Sequence, residues 1–299
     1  MEPTNNLMSR LVTLFPGASK TTLRGMVEAK RVLINGVAVR SLKQEIGPKD
    51  KFEVLDFDQA PTRSMTLVHG LKIIHVDGEL VVVEKPGGLL TSTDTREKRP
   101  TAWRILQEHY RRQSSKNETH LIHRLDKDAS GLLVFARSWD AYRSLKQQFF
   151  EHTITRRYEV LVHGVPAKKK ARLEHLLVED PPEARSGMVR VTKDVRAGKL
   201  AIMDYELIAA SKDKKISHVQ CTLFTGRKHQ IRVQLQAIGH PVCGDPLYGE
   251  RALEGVQDDV IGRLALHASL LVLVHPKTKR EVRFESTVPG IFSHVLRGK

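Results

Sequence analysis

The residues best placed to do chemistry are in His123-Arg124-Leu125-Asp126-Lys127-Asp128-Ala129-Ser130-Gly131. A basic side chain and a carboxylate stand two apart in a polar turn, and Leu132-Leu133-Val134-Phe135-Ala136-Arg137 follows at once as a buried strand. A turn that leads straight into a core holds one reactive carboxylate, Asp126, on rigid support. Other chemistries lack their residues. The fourteen His include no His-x-x-x-His pair or Cys/His cluster with metal-ligand spacing. No strand, Gly-rich loop and helix in succession suits S-adenosylmethionine, and no carboxylate cluster suits a metal-dependent hydrolase. An RNA hydrolase or methyltransferase therefore ranks low.

The elements around that turn can be read from pattern. Ile73 to Val76 and Leu80 to Val83 flank Asp77-Gly78, a hairpin signal, and the second strand runs into the loop Glu84-Lys85-Pro86-Gly87-Gly88. Helical periodicity follows over Ala102 to Tyr110. Ser138 can cap a helix from Trp139 to about Glu151. Arg157 to Val162 alternates as a strand, with Leu200–Ala209, His218–Phe224 and Leu264–Val274 as further strands. A helix over about His229 to Ile238 stops at Gly239. Lys168 to Lys170 and Lys212 to Lys215 read as charged loops. Many strands with few helices between them predict an α+β fold on a mixed, mostly antiparallel sheet.

Upstream lies a smaller unit. Ser19 caps a predicted helix from about Lys20 to Lys30, with Leu23, Met26 and Val27 as its apolar face. Asn35-Gly36 between Val32-Leu33-Ile34 and Val37-Ala38-Val39 demands a type I′ hairpin. Gly47-Pro48-Lys49-Asp50 makes another turn. Residues 58–70 lack periodicity and read as a linker, which divides the chain into 1–57, 58–70 and 71–299.

The chain has 299 residues, 40% hydrophobic and 28% charged, as a soluble globular protein does. Its net charge of +15 calls for a polyanionic partner, nucleic acid before an anionic membrane surface. Residues 1–60 hold nine Lys/Arg against seven Asp/Glu, so almost all the excess lies further on. No apolar run reaches the roughly 18–20 residues of a spanning helix, and no signal-peptide core precedes the first domain. Cys221 and Cys243 are too few for a disulfide framework, which fits a reducing cytosol.

Five segments in order resemble the motifs of the RluA family of pseudouridine synthases. They are Val83-Glu84-Lys85-Pro86-Gly87-Gly88-Leu89, the His123-Arg124-Leu125-Asp126 turn, Arg157-Tyr158, Leu223 to Arg232, and the pair Gly239–Gly249 with Leu264–Ala268. The resemblance spans about residues 73–290. Leu11 to Leu55 resembles an S4-type RNA-binding module, in which a basic helix lies beside a small sheet.

The resemblance implies an enzyme that breaks the N1–C1′ bond of a uridine in structured RNA, turns the uracil and joins C5 to C1′. Neither a metal nor a cofactor enters that reaction. Asp126 is then the catalytic carboxylate, by attack on C1′ or by drawing a proton from C2′, and both routes stay open. Arg232 would hold it ionised by charge pairing and hydrogen bonding; the plain reading of Arg232 is a surface salt bridge worth at most about 1 kcal/mol. Tyr158 would lie against the base, where the plain reading is core packing. Leu223 and Ile231 are walls of the base pocket or core residues.

A flipped base leaves a gap that Arg124 can fill. His123 belongs with the RNA contacts or supplies an orienting hydrogen bond. Arg227, and Arg24, Lys30 and Arg31 in the small module, complete the expected RNA-binding set. Lys-Pro at 85–86 supports the site without reacting. Three positions depart from the family: Ala129 stands for a common Thr, Lys228 for Thr and Gln234 for His. The expected substrate is ribosomal RNA of the large subunit, with transfer RNA second, and the expected state is a monomer. The competing class is a non-catalytic RNA-binding or ribosome-assembly factor on the same scaffold.

Overall fold

The computed structural model describes residues 6–28, 30–47, 49–55, 64–93, 99–113, 118–181, 184, 187–249 and 261–298. Two units follow one another. In the first, α1 (Leu7–Leu14) and α2 (Lys20–Glu28) pack on a sheet of β1 (Val32–Ile34), β2 (Val37–Ala38) and β3 (Phe52–Val54), in the order β2-β1-β3. Ser19 Oγ accepts the Thr22 N–H at 3.1 Å and so caps α2. Asn35 (φ 53°) and Gly36 (φ 77°) both take the left-handed conformation that the type I′ turn requires. Leu7, Leu11, Leu23 and Ile46 close a separate small core.

The rest of the chain builds one large sheet. Its strands are β4 (Met65–Thr66), β5 (Lys72–Val76), β6 (Leu80–Lys85), β7 (His120–Leu121), β8 (Ser130–Ala136), β9 (Thr155–His163), β10 (Lys170–Glu179), β11 (Val189–Thr192), β12 (Lys199–Ala210), β13 (Ile216–Leu223), β14 (Leu266–Val274) and β15 (Glu281–Glu285). Helices α3 (Ala102–Gln113), α4 (Trp139–Phe150), α5 (Gln230–Ala237) and α6 (Gly290–Leu296) cover it. The order is β11-β10-β12-β13-β9-β14-β8-β6-β5-β4, with β15 on β14 and β7 on β8. Among the described strands only β8 and β14 pair in parallel. The mixed, mostly antiparallel α+β sheet is as expected.

Both faces of the central strands are buried, which is why β8 reads as one apolar run. Leu133 and Phe135 point into the main core with α3 and α5. Leu132, Val134 and Ala136 point to the other face, under Ala141 and Leu145 of α4. Each of the fully buried Leu, Val and Phe side chains among them contributes about 1.5–3 kcal/mol. Ser138 caps α4 by accepting the Ala141 N–H at 3.1 Å.

Several expectations need correction. The 58–70 linker is shorter than its pattern suggested: Met65–Thr66 is already an edge strand paired with Lys72 and Ile73, and residues 58–63 lie outside the described ones. Lys170 is not in a loop but opens β10, where it pairs with Glu206 at 3.0 Å. The turn at Asp77 is held by a side chain, since Asp77 Oδ1 accepts the N–H groups of Glu79 (2.7 Å) and Leu80 (2.8 Å).

Candidate active site

The HRLD turn lies at the head of β8, and the residues on both sides of Asp126 are clamped. Thr91 Oγ1 donates to the Leu125 carbonyl at 2.8 Å and accepts the Leu125 N–H at 3.1 Å. Lys85, wholly buried, donates to the carbonyls of Pro86 (2.9 Å), Leu89 (2.7 Å) and Lys127 (2.9 Å). Burial pulls the Lys85 ammonium down to about 7 against the opposing charges of Asp128 and Asp126. Three carbonyl acceptors need three N–H donors, so the hydrogen bonding favours the charged form. Lys85 thus ties the 86–89 loop to the turn that carries Asp126.

Arg232 reaches Asp126 from α5, with Nη1 to Oδ2 at 3.1 Å. The same guanidinium grips Asp245 with Nε and Nη2, each at 2.7 Å. Burial opposes the Arg232 charge, but the hydrogen bonds and charges of Asp245, then Asp126, outweigh it and raise its pKa. This is a buried three-group ion network and not a surface salt bridge. Tyr248 covers it, with its ring 4.9 Å from the Arg232 guanidinium carbon.

A cleft of about 1110 Å³ opens over Asp126. Tyr158, Leu223, Ile231 and Arg232 line it, as do Arg124 and Arg227. Burial raises the Tyr158 phenol above its ordinary pKa, with Arg156 opposing and Asp126 adding to the rise. The hydroxyl is therefore neutral near pH 7. Arg124 is exposed at the cleft and makes no ion pair among the described residues. Arg227 donates from Nε to the Leu200 carbonyl at 2.9 Å.

His123 also lines the cleft, but its Nε2 accepts the Val134 N–H at 3.2 Å and its ring stacks on Phe149 at 4.7 Å. Burial, with Arg156 and Lys146 nearby, pushes it down to about 3, so the ring is neutral. That geometry fits the orienting role and argues against His123 as a phosphate contact. Arg24, Lys30 and Arg31 lie in the first unit. Arg24 is exposed, whereas Arg31 turns inward and donates to the Leu55 carbonyl at 2.9 Å.

Three residues of the site carry no signal of their own in the sequence. Asp245 sits in a quoted segment without a role, and Thr91 in none. Arg156 is 8% exposed, lines the cleft and donates to the Thr225 carbonyl at 3.1 Å. The departures from the family pattern fall behind the site or at its edge. Ala129 is packed in the core, where a hydroxyl would need a partner. Gln234 ties α5 to the sheet through the carbonyls of Leu173 and Ala201, both at 3.1 Å. Lys228 pairs with Glu179 at 3.0 Å.

A carboxylate held by a buried guanidinium at the base of an aromatic-walled cleft suits chemistry on a flipped nucleoside. Residues 79–237 match the RNA pseudouridylate synthase family. The chain is 32% identical over 292 residues to the ribosomal large subunit pseudouridine synthase D of Nitrosomonas europaea, covering 96% of this chain and 82% of that one. The protein of the same name from Pseudomonas aeruginosa is 31% identical over 293 residues, covering 95% and 88%. The solved structure of human RNA pseudouridylate synthase domain containing 1 aligns with a TM-score of 0.59 at 26% identity, over 76% of this chain and 87% of that one. The chain belongs to the RNA pseudouridylate synthase family, among its RluA-type members, and is an isomerase acting on RNA. Among the described residues no helix is long and apolar enough to cross a membrane.

Proposed function

We propose that this enzyme converts specific uridines of large-subunit ribosomal RNA to pseudouridine, with Asp126 as the reacting carboxylate. The observation that carries the reading is the 3.1 Å Arg232–Asp126 pair beneath a cleft walled by Tyr158. The names of the relatives support the ribosomal substrate.

Arg232 pairs with Asp126 and aims it, and Asp126 either attacks C1′ or takes a proton from C2′ as the N1–C1′ bond breaks. The uracil turns against the Tyr158 ring, and C5 bonds to C1′ as the Asp126–C1′ bond breaks in the first route or as Asp126 returns the proton to C2′ in the second. The C5 proton then leaves, and N1 ends protonated. Tyr158, kept neutral by burial, can relay that proton. Leu223 and Ile231 wall the base, and Arg124 fills the space the base leaves in the RNA. Arg227 meets the backbone at the rim.

The first unit is an S4-type module in this reading. Its two helices on a three-stranded sheet and the exposed Arg24 support it, with Lys30 beside the helix end. Arg31 is better read as a structural donor. Phosphate contacts of this kind make binding salt-dependent. One chain supplies every group named at the site, so the enzyme acts as a monomer, in the cytosol where its RNA is assembled.

The test is a map of pseudouridines in ribosomal and transfer RNA from cells lacking the gene, complemented with wild type or Asp126→Asn. Loss of one or a few ribosomal sites, restored by wild type alone, is the expected result. Sites restored by Asp126→Asn would remove Asp126 from the reaction. Loss confined to transfer RNA would overturn the substrate.

A further inference from the structure

Helix α4 carries a face that the reaction at Asp126 does not use. Ala141 and Leu145 are buried against the sheet. Trp139, Arg143, Lys146 and Phe150 fall on the opposite side, within about 60° of one another at 3.6 residues per turn. Trp139 is 64% exposed and Phe150 79%. Large aromatic rings left in water beside cations mark a contact surface.

One end of this stripe lies in the catalytic cleft, which Lys146 and Phe150 line. The other end, Trp139, is about 10 Å beyond Lys146 and about 16 Å from Phe150 along the helix axis. His120 lies 4.4 Å from the Trp139 ring at 36°, Tyr142 meets it edge-on at 5.3 Å, and these two neighbours also touch each other at 5.9 Å, so they leave the rest of the ring open. Phe149, by contrast, is already covered by His123 and by Arg156, whose guanidinium lies 5.4 Å from the ring. Asp140 pairs with Arg143 and Glu151 accepts from Gln147, both at 2.6 Å, while Lys146 donates to the Ile122 carbonyl and makes no ion pair among the described residues. The face is therefore aromatic, carries the Lys146 cation at its cleft end, and is continuous with the cleft.

We infer that this face is a track for the single-stranded RNA that flanks the target uridine. One unpaired base stacks on Trp139 and another on Phe150, while Lys146 and Arg143 meet the phosphates between them. The inference rests on the RNA pseudouridine synthase reading and adds where the flank runs. Charge complementarity and continuity with the cleft favour RNA over a protein surface.

Trp139 is one of two tryptophans, so it reports on itself. The other, Trp103, is partly buried and donates to the Thr119 carbonyl at 2.8 Å. Full-length Asp126→Asn protein is titrated with single-stranded oligoadenylate and with the same strand in an oligoadenylate–oligouridylate duplex. The single strand quenches tryptophan fluorescence and the duplex does not. Trp139→Leu abolishes the quench and weakens single-strand binding by about five- to tenfold, while Trp139→Phe stays within about twofold of the parent. Equal affinity in Trp139→Leu, or an equal quench by the duplex, overturns the track. If RNA leaves the fluorescence untouched, the face serves a protein partner and the inference fails.

The matching assay uses catalytically intact enzyme on an unmodified large-subunit ribosomal RNA transcript. Trp139→Leu raises KM severalfold and changes kcat far less; an unchanged KM counts against the track. A wild-type enzyme that forms no pseudouridine in any RNA overturns the functional reading itself, and the oligoadenylate titration still judges the track.

Discussion

Asp245 holds Arg232 more firmly than Arg232 holds Asp126. The first pair has two hydrogen bonds of 2.7 Å, the second one of 3.1 Å. The Asp245 side chain is fully enclosed, whereas a quarter of the Asp126 side chain remains exposed. A bidentate carboxylate fixes the plane of the guanidinium. An N–H of Nη1 is then aimed at Asp126 Oδ2, and the other carboxylate oxygen of Asp126 faces the cleft.

Asp245→Asn keeps the shape and removes that anchor. Breaking one partner of a buried ion network costs about 3–5 kcal/mol. Urea unfolding of the variant is expected to show a loss of that order, with kcat reduced because Arg232 swings freely. Wild-type stability together with wild-type kcat would show that Asp245 anchors nothing.

Lys85→Met preserves the aliphatic volume and removes a donor from three carbonyls, of which that of Lys127, beside Asp126, keeps the Gly88 N–H at 3.0 Å. The Pro86 and Leu89 carbonyls are left without that donor, and a buried unpaired carbonyl costs about 1–3 kcal/mol. The melting temperature should drop. Single-turnover rates should fall with little change in RNA affinity, because Lys85 holds the catalytic turn and touches no substrate. An unchanged single-turnover rate at a temperature where the variant is folded would refute this.

Stability should decline in mild acid through two neutral histidines. Burial, then nearby cations, lowers His123 to about 3; burial, then Arg263, lowers His267 to about 4, both from 6.5. Below pH 6.5 the unfolded chain takes up protons at these positions and the folded chain does not. Their contribution is thus complete above 6.5 and is lost as pH falls through about 4 and about 3. His267 is fixed between Ser130 (2.7 Å) and Ser286 (3.0 Å). Urea midpoints of His267→Gln measured from neutral to mildly acidic pH should show a flatter slope than wild type. A slope identical to wild type would exclude His267 as a source.

Gly131→Ala should be among the most damaging small changes. Gly131 has φ 108°, and a Cβ there would stand 2.2 Å from the Ala268 carbonyl oxygen, across the parallel β8–β14 pair. Left-handed strain adds to a backbone clash, so roughly 3 kcal/mol or more of stability should be lost. Thermal melts check this directly.

Much of the architecture was legible because it rests on local rules. Asn35-Gly36 can only turn one way, Ser138 has a helix to cap, and the apolar run from Leu132 to Ala136 is too short and too continuous for a surface helix. β10 and β11 were not legible. In Lys170-Ala171-Arg172-Leu173-Glu174 the charges hide the alternation, and pairing with β12 makes it a strand. Met65–Thr66 likewise becomes a strand only because the β5 edge is free to receive it. The C-terminal β15 and α6 carried too weak a periodic signal to be expected.

The sequence by itself singled out the candidates for chemistry: one carboxylate in a turn before a buried strand, one Tyr opening another strand, and Arg232 in a motif far along the chain. The tertiary structure alone decided how they act together. Asp126 and Arg232 are 106 positions apart and meet at 3.1 Å because β8, β9 and α5 converge at one end of the sheet. Asp245 and Thr91 are ordinary polar residues in loops until that convergence sets one behind Arg232 and the other beside Leu125. Local pattern records a residue's own turn or strand. It holds no record of contacts between distant segments, which only the packing of the sheet creates.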